Sequence, residues 1–584
     1  MARTVADQLI AQLIEAGVSR IYGVVGDSLN PIVDAVRRTG GSRKGGIDWI
    51  HVRHEEAGAF AASAEAQLTG KLAVCAGSCG PGHLHLINGL YDAHRSGAPV
   101  LAIASHITTN QIGSGYFQET HPDRLFVECS HYTEMISTAV QAPRVVDQAM
   151  RHSLALGGVS VITLPGDVAE FEAEGEAPAF SLPRRPAIVP AEEDVRALAA
   201  AIDEAESVAI FAGRGAGGAH AELMELADKI AAPVGHSLRG KDVIQQDNPF
   251  DVGMTGLIGY GAAAAGISGA DLLILIGTDF PYDQFLPGKE VRTAQIDIAP
   301  ERLGRRTDVD IAIHGDALST IRAVLPLVER KTDRRFLEKL LKEQDKKVEQ
   351  VVGAYTSKAE KLTPIHPEYA ASILDEVAGD DTVFTSDTGM CNVWSARYLT
   401  PNGRRRMIGS LVHGSMANAL PQAIGAQVAY PERQVVSVSG DVGLAMLMGE
   451  LVTVAAYQLP VKVVVFNNST LGLVKVEMLV DGIPDFGVDV PMVDYAAVAA
   501  ALGIHSQRVE DPADIRGALE AAFAHDGPAL VDLVTDPMAL SIPPEISAAQ
   551  VKGFALSMSK IVMNGGVGEA VKLARSNLRN IPRP

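Results

Sequence analysis

Cysteine is scarce in this sequence, with only four residues among 584: Cys75, Cys79, Cys129 and Cys391. Four cysteines are too few to build a disulfide framework in so long a chain. The Cys75/Cys79 spacing does not indicate a zinc site either, because no second Cys or His pair follows it. The cysteine content therefore predicts a protein of the reducing cytoplasm.

Positive charge and long apolar runs are also in short supply. The chain has 50 Lys and Arg against 70 Asp and Glu, a formal net charge of -20, which argues against a nucleic-acid partner. Asp7 and Glu15 interrupt the apolar residues near the N-terminus, so we expect no targeting segment there. The most apolar stretch, 257–277, contains Asp271 and repeated glycines, which favours a buried strand over a membrane-spanning helix.

What the sequence does contain is a globular composition, 47% hydrophobic and 21% charged, in which helical patterns alternate with short apolar runs. Runs such as APVLAIAS and QVVSVSG between helices are typical of parallel strands buried on both faces. The alternation restarts after a Pro-rich stretch and again after the charged stretch 329–350, for which we expect a solvated helix. We predict an α/β protein with three doubly wound parallel-sheet domains, 1–185, 186–340 and 341–545, and a C-terminal segment, 546–584.

Two polar residues follow neighbouring strands of the third predicted sheet. The run VVSVSG leads into Asp441, and VKVVVFN leads into Asn468, one strand–helix–strand crossover later. Ligands of open α/β sheets bind at the carboxyl ends of the strands, where these two side chains should meet. A carboxylate and an amide suit Mg²⁺ that shares its shell with phosphate oxygens. A helix cap and a turn are the structural alternative.

An acidic pair opens a helix in the first domain. Glu55 and Glu56 follow His54 and precede an Ala-rich helical pattern. Acidic residues at a helix start can simply stabilise the helix dipole. The alternative is a buried carboxyl that hydrogen-bonds a ring nitrogen of a cofactor, and the pattern leaves both open.

A glycine-rich loop follows the first strand of the second domain. Gly213, Gly215 and Gly218 have the G-x-G-x-x-G spacing between the run SVAIFA and a helical pattern, which is typical of nucleotide binding. The second strand lacks the acidic residue of an NAD site, so NAD is disfavoured. Asp297 ends a later strand, where it binds a ribose or caps a helix.

The C-terminal segment differs from the acidic body of the chain. Residues 549–584 contain six Lys and Arg against one Glu. Apolar residues recur at helical spacing over 551–562 and again over 567–578. A basic amphipathic helix can bind an anionic membrane surface, and the same pattern also suits a helix docked on its own subunit.

Longer motifs extend these signals over nearly the whole chain: RHEEAGAFAASAEAQLTG, LAVCAGSCGPG, GSGYFQETHP, FDVGMTGLIG, LVHGSMANALPQAIGAQ and FNNSTLGLV. Together they resemble the thiamin-diphosphate-dependent enzymes of the pyruvate oxidase/acetolactate synthase family, and within it the pyruvate:quinone oxidoreductases. The resemblance implies a pyrimidine-binding first domain, an FAD-binding second domain and a diphosphate-binding third domain.

The resemblance also implies a reaction, the oxidative decarboxylation of pyruvate to acetate and CO₂ with electrons passed through FAD to a membrane quinone. It implies thiamin diphosphate, Mg²⁺ and FAD as cofactors, and a homo-oligomer, a tetramer, whose sites are shared between subunits. Quinone-reducing relatives use the C-terminal segment to reach the bilayer. We therefore expect a cytoplasmic protein peripherally associated with the inner face of the cell membrane through anionic lipid.

Residue roles follow from the resemblance position by position. It implies that Asp441, Asn468 and the Thr470 carbonyl bind Mg²⁺, that Glu55 pairs with the aminopyrimidine nitrogen of a cofactor held by the partner subunit, and that Met416 keeps the cofactor bent. Other implied cofactor contacts are Gly389, Gly414, Ser415, Val442, Gly443 and Leu473, and Phe117, Gln118 and Glu477 are implied to face the substrate. For the flavin nucleotide the implied contacts are Gly213, Gly215, Thr255, Gly256, Leu257, Ile258, Thr278, Asp279, Phe280, Pro281 and Tyr282, with Asp297 on the ribose.

Two positions depart from the family pattern. The family usually has Gly where this chain has Val442. If that position needs a positive φ, a β-branched residue costs on the order of 1–3 kcal/mol, and if φ is negative, Val442 only crowds the diphosphate. Close relatives often carry a large or aromatic residue at Leu473, so a role in electron transfer assigned there does not carry over.

Three other functions compete with this prediction. An acetolactate synthase commonly has a Trp after FNN for its second ketoacid, and LGLVKVEM has none. An oxygen-dependent, phosphate-consuming pyruvate oxidase is disfavoured by the basic C-terminal segment. A cofactor-poor paralogue without enzymatic activity, marked by Val442, is disfavoured because Glu55, Asp441 and Asn468 are retained.

Overall fold

Three parallel sheets follow one another along the chain in the computed structural model, which describes residues 3–182, 186–540, 548–563, 567–577 and 579. Separate clusters of apolar side chains cover the two faces of each sheet, as continuous apolar strands require. The predicted three α/β domains are confirmed. The boundary expected at 185 lies outside the described residues.

The first domain is a six-stranded, all-parallel sheet of order β2-β1-β3-β4-β6-β5. Its strands are β1 (Arg20–Gly23), β2 (Asp48–His51), β3 (Ala73–Gly77), β4 (Val100–His106), β5 (Tyr132–Met135) and β6 (Val159–Pro165). Its helices are α1 (Val5–Glu15), α2 (Asn30–Thr39), α3 (Glu55–Thr69), α4 (Pro81–His85), α5 (Ile87–Ser96), α6 (Pro122–Leu125), α7 (Ala142–Leu156) and α8 (Gly166–Glu170).

The second domain is a seven-stranded sheet of order β10-β9-β8-β7-β11-β12-β13, parallel except for the short edge strand β10. Its strands are β7 (Val208–Ala212), β8 (Val234–His236), β9 (Asp251–Met254), β10 (Tyr260–Gly261), β11 (Leu272–Ile276), β12 (Arg292–Asp297) and β13 (Ile311–His314). Its helices are α9 (Glu192–Glu204), α10 (His220–Lys229), α11 (Lys241–Ile244), α12 (Ala263–Gly269), α13 (Ala317–Val324) and α14 (Arg335–Gln350).

The expected boundary at 340 falls inside α14, and this helix is not merely solvated. Leu337 and Leu340 are buried in the cores of the second domain. The buried Gln344 accepts a hydrogen bond from the Ala262 N–H at 3.0 Å. The second domain therefore continues through α14, because the apolar stripe of this charged helix packs on the β9–β10 edge of the sheet.

The third domain is a six-stranded, all-parallel sheet of order β15-β14-β16-β17-β19-β18. Its strands are β14 (Val383–Ser386), β15 (Arg406–Gly409), β16 (Val435–Gly440), β17 (Lys462–Asn467), β18 (His505–Val509) and β19 (Ala529–Val534). Its helices are α15 (Pro367–Val377), α16 (Met390–Tyr398), α17 (Ala419–Ala429), α18 (Asp441–Met446), α19 (Glu450–Ala456), α20 (Gly472–Val480), α21 (Tyr495–Ala501) and α22 (Ile515–Ala524).

The C-terminal segment forms α23 (Ala548–Met563) and α24 (Val567–Asn577), and both helices dock on the third domain. Met558 and Leu573 pack with Leu479 and Leu540, and the Lys560 ammonium donates to the Gly482 carbonyl at 2.9 Å. The structure thus shows the docked arrangement that the amphipathic pattern allowed. Within the described residues, no helix combines the length and apolar character needed to cross a bilayer.

Candidate active site

Asp441 and Asn468 lie at the tips of two neighbouring parallel strands, as their positions after β16 and β17 predict. Asp441 is buried, and its Oδ2 accepts a hydrogen bond from the Ser469 N–H at 2.6 Å, which ties the two tips together. Ser469 adopts a positive φ of 54° to present that N–H. Burial raises the pKa of the Asp441 carboxyl, and the N–H groups of Val442 and Ser469 partly offset this.

The oxygens at these tips fit Mg²⁺. Asp441 offers a carboxylate and Asn468 an amide, whose Oδ1 accepts the Thr470 N–H at 3.1 Å, and all three residues line one cleft. Hard oxygen donors of this kind suit Mg²⁺ with part of its shell left to phosphate and water.

The cleft at the strand tips is open to solvent, and the space along its walls, with the open mouth included, amounts to about 700 Å³. Helices α16 and α20 both begin at it, and helix N-termini favour phosphate groups. Of the residues assigned from the sequence, the cleft brings together Gly389, Met416, Asp441, Val442, Gly443, Asn468, Thr470 and Leu473. Thr388, Trp394 and Thr535 also line it and were missed because no motif marks them, and Leu471 was missed although it lies within FNNSTLGLV.

Val442 lies in the first turn of α18 and is not among the residues with a positive φ. The backbone at this position therefore does not require glycine, and the branched side chain carries no left-handed strain. Its effect is limited to the space that it takes from the cleft.

Gly414, Ser415 and Met416 form a turn that faces both the cleft and the first domain. Met416 lines the cleft, and Gly414 has a φ of 77° that favours glycine. The Ser415 carbonyl accepts the Thr388 hydroxyl at 2.8 Å, and the Asn88 amide of the first domain donates to the Ser415 hydroxyl at 2.8 Å. Ser415 and Gly414 are therefore beside the cleft rather than in its wall.

Glu55 lies apart from this cleft, at the start of α3 in the first domain. Its buried carboxyl is 2.9 Å from the His85 Nδ1, and the His54 ring stacks on His85 with centroids 4.3 Å apart. The structure confirms a buried carboxyl at this helix start, and it does not bring Glu55 into the wall of the Asp441 cleft of the same chain.

Phe117 and Gln118 lie in the loop after β4, at the same sheet edge as Glu55. Phe117 is 77% exposed, whereas Gln118 has a φ of 63° and its Oε1 accepts the Cys79 thiol at 3.2 Å. The loop 78–82 links this pair to Glu55, since a Cβ on Gly82 would lie 3.2 Å from the Glu55 Oε1.

The glycine-rich loop of the second domain is a 3₁₀ turn between β7 and α10. The Gly215 N–H donates to the Gly277 carbonyl at 3.0 Å, and a Cβ on Gly213 would lie 2.5 Å from that oxygen. These glycines let the ends of β7 and β11 approach, which shapes the carboxyl edge of the sheet.

Several side chains at this edge fit a bound nucleotide. The buried Thr255 hydroxyl has no hydrogen-bond partner among the described residues, which suits contact with a ligand. Gly256, with a φ of 101°, packs on Phe280, and Thr278 is buried. Asp297 ends β12 as predicted, and burial raises the pKa of its carboxyl. This chemistry fits FAD.

The remaining residues of the flavin prediction differ in their surroundings. Asp279 is held in ion pairs with Arg305 and Arg306 at 3.0 and 3.1 Å. Ile258 packs with residues of the third domain. Leu257, Pro281 and Tyr282 are exposed.

Glu477 of the third domain is within electrostatic range of Tyr282 of the second domain. Glu477 lies on α20, whose first residues line the cleft, and its charge is the second cause, after burial, of the raised pKa of Tyr282. Burial also raises the pKa of the Glu477 carboxyl, with a contribution from Asp481. The charge of the residue assigned to substrate therefore acts on a residue assigned to flavin.

Three family models match the chain in the order of its domains. They are the N-terminal thiamine pyrophosphate binding domain at residues 3–125, the central domain of thiamine pyrophosphate enzymes at 195–324 and the C-terminal thiamine pyrophosphate binding domain at 387–533. Thiamine pyrophosphate is another name for thiamin diphosphate. Each match falls within one of the three domains, and the C-terminal match contains Asp441 and Asn468.

Full-length relatives agree with these matches. The chain is 35% identical to the protein YdaP of Bacillus subtilis (strain 168), over 96% of both chains. It is 32% identical to the pyruvate oxidase of Lactiplantibacillus plantarum, over 91% of this chain and 88% of the relative. A protein of Methanocaldococcus jannaschii named "probable acetolactate synthase large subunit" is 31% identical over 91% of this chain and 92% of its own.

Proposed function

The chain belongs to the thiamine pyrophosphate enzyme family, and we propose that it oxidatively decarboxylates pyruvate to acetate and CO₂, with FAD passing the electrons to a membrane quinone. When bound, thiamin diphosphate supplies a carbanion that adds to the ketone of pyruvate, and an electron sink for the loss of CO₂. The observation that carries the proposal is the cleft at the tips of β16 and β17.

Different residues of the cleft would hold different parts of this cofactor. Asp441, Asn468 and Thr470 would bind the Mg²⁺ that neutralises the diphosphate, and the N-termini of α16 and α20 would add hydrogen-bond donors to it. Met416, whose side chain faces the same space, would press the two rings of the cofactor into the bent form.

Glu55 would hold a proton at the aminopyrimidine nitrogen, and this role requires a second copy of the chain. Glu55 does not line the cleft of its own subunit, and its neighbour His85 is open to solvent. We propose that the partner subunit's cleft faces this edge of the first domain, in a homotetramer built from such pairs. Phe117 and Gln118 would then face the pyruvate together with Glu477.

The contact between the second and third domains supports electron transfer to a flavin. Tyr282 and Thr278 belong to the segment proposed to contact FAD, and Tyr282 is within electrostatic reach of Glu477. A flavin held at this edge would lie close to the reacting carbon of the substrate.

The basic C-terminal segment supports a quinone as the final acceptor. Docking buries Leu573, partly buries Met558 and leaves Phe554, Leu556 and Val571 exposed among lysines and arginines. Apolar side chains beside basic ones favour an anionic lipid surface. We propose that this face brings the cytoplasmic enzyme to the inner face of the cell membrane, where the quinone is.

The test compares electron acceptors. The purified enzyme is incubated with pyruvate, thiamin diphosphate, Mg²⁺ and FAD, together with a quinone analogue, oxygen or excess pyruvate. We expect acetate formation that depends on the quinone and rises with anionic vesicles. Acetyl phosphate formed only with oxygen and phosphate would contradict the proposal.

The alternative function is acetolactate synthesis, which the relative from M. jannaschii favours by its name and similarity. It requires space for a second ketoacid beside the cleft, where α20 offers the sequence GLVKVEMLV without a Trp. Acetolactate as the main product in the same assay would establish this alternative.

A further inference from the structure

Asp387 is the third acidic or amide residue at the tips of neighbouring strands in the third sheet. It follows the last residue of β14, the strand that pairs with β16, so its position matches those of Asp441 and Asn468. Unlike those two, it does not line the cleft, and its side chain is 1% exposed. It lies beneath the cleft wall.

One oxygen of Asp387 holds two parts of that wall together. The Thr388 N–H donates to its Oδ1 at 2.9 Å, and the Asn418 amide donates to the same oxygen at 3.1 Å. Burial raises the pKa of the Asp387 carboxyl to about 7, and the N–H groups of Thr388, Asn418 and Ala417 partly offset this rise. Ala417 has a φ of 67°, an uncommon conformation that such contacts can hold. Met416 is the adjacent residue and lines the cleft.

The other oxygen touches a third segment. A Cβ on Gly443 would lie 1.9 Å from the Asp387 Oδ2, so only glycine leaves room for the carboxylate there. Gly443 is two residues after Asp441 and also lines the cleft. Segments 387–389, 414–418 and 441–443 therefore meet on one buried carboxylate.

We infer that Asp387 is a positioning residue for thiamin diphosphate, which sets the places of Thr388, Met416 and Gly443 without touching the cofactor. The inference rests on the proposed function only in that the cleft binds this cofactor. Burying a carboxylate costs free energy unless the group is hydrogen-bonded. Here its hydrogen bonds come from residues of the cleft wall.

The test measures cofactor affinity with two isosteric variants that break the same contact from opposite sides. Asp387→Asn places a donor against N–H groups, and Asn418→Asp places an acceptor against the Asp387 carboxylate and the Ser415 carbonyl. Calorimetry with thiamin diphosphate at saturating Mg²⁺ should show a loss of affinity of about 10–100-fold in each, the range for residues that orient ligand-binding groups. The unfolding midpoint of the cofactor-free variants is measured in parallel with the affinity.

Asp147→Asn is the control, because Asp147 is a buried carboxyl on α7 of the first domain, paired with Arg151 and remote from the cleft. We expect its affinity for the cofactor to equal that of the wild type. Wild-type affinity in Asp387→Asn and Asn418→Asp would overturn the inference alone. An equal loss in the control would show a general effect of stability and would also overturn it. No binding by the wild-type protein would overturn the proposed function as well. If Asp387→Asn does not fold, Asn418→Asp decides.

Discussion

At the scale of single residues, the backbone conformation at Val442, directly after Asp441, shows whether this side chain strains the backbone or only takes up space in the cleft. Val442 has no positive φ, so the usual glycine is not needed there for the backbone. A glycine in its place would lower helix stability in the first turn of α18.

We therefore predict that Val442→Gly lowers the free energy of unfolding by about 0.3–0.5 kcal/mol, because Gly has a lower helix propensity than Val. Denaturant unfolding of the cofactor-free protein checks the sign. A gain in stability would mean that Val442 is strained after all. Val474→Gly, at an exposed site on α20, controls for the propensity effect itself.

Sequence reasoning located Asp441 and Asn468 because apolar strands end at both, and parallel strands carry their ends to one edge. The same signal exists at Asp387, which directly follows the strand sequence VFTS. Its role was missed because a residue buried beneath the cleft wall and a residue that lines the cleft follow their strands in the same sequence pattern. Only the contacts with Asn418 and Gly443 distinguish the two.

At the scale of elements, α14 shows how one polar side chain can join a helix to a sheet edge. Gln344 accepts the Ala262 N–H from within the core, although its helix is rich in charge. An apolar residue there would remove this hydrogen bond, although the same N–H also donates to the Val252 carbonyl at 2.9 Å.

We predict that Gln344→Leu destabilises the second domain by about 0.5–1.5 kcal/mol, the net contribution of one intramolecular hydrogen bond. The unfolding midpoint measures the loss. Gln350→Leu makes the same substitution at an exposed position of the same helix and should have no effect beyond 0.5 kcal/mol or so. Equal effects at both positions would argue against the role of the hydrogen bond.

The C-terminal helices are anchored at their far end by Asn577. Its amide donates to the carbonyls of Met538 and Leu573 at 2.7 and 2.8 Å, and its Oδ1 accepts the Leu540 N–H at 3.0 Å. Two of these hydrogen bonds, with Met538 and Leu540, hold α24 to the third domain, and the bond to Leu573 lies within α24.

We predict that Asn577→Ala frees the segment without unfolding the body. Limited proteolysis should remove residues beyond 540 several-fold faster, with the body's unfolding midpoint unchanged, because the bonds lost are confined to the docking site. Ser559→Ala, at an exposed position of α23, should leave the cleavage rate unchanged. Wild-type protection in Asn577→Ala would refute the anchoring role.

The positions of strands and helices were predictable where apolar runs were continuous, and less so where a helix is interrupted. The pattern over 444–458 predicts one helix, whereas the structure has α18 and α19, since Leu447 leaves the helical conformation. The docking of α23 and α24 was not predictable, because one amphipathic pattern serves both a lipid surface and a protein surface.

At the scale of the whole molecule, the first and third domains meet around buried polar groups on α3, α5 and α17. Asp92 has no exposed surface and is held by the Ser63 hydroxyl at 3.0 Å and the Gln422 amide at 3.3 Å. Burial raises the pKa of Asp92 to about 6.

This shift predicts how stability depends on pH. The folded protein keeps the Asp92 proton up to about pH 6, whereas the unfolded chain loses it near its ordinary pKa of 3.8. Stability should therefore fall as pH rises from 4 to 6, by up to about 3 kcal/mol from this group. Asp92→Asn should flatten that slope in thermal unfolding series, and an unchanged slope would contradict the assignment.

The most direct test of the whole account is the position of the metal. Crystals grown with thiamin diphosphate and Mn²⁺ in place of Mg²⁺ would show the ion by anomalous scattering. The account predicts one peak at about 2.2 Å from oxygens of Asp441, Asn468 and Thr470, with the diphosphate beside it. A cleft without metal and cofactor, or a metal bound only at His54, Glu55 and His85, would contradict it.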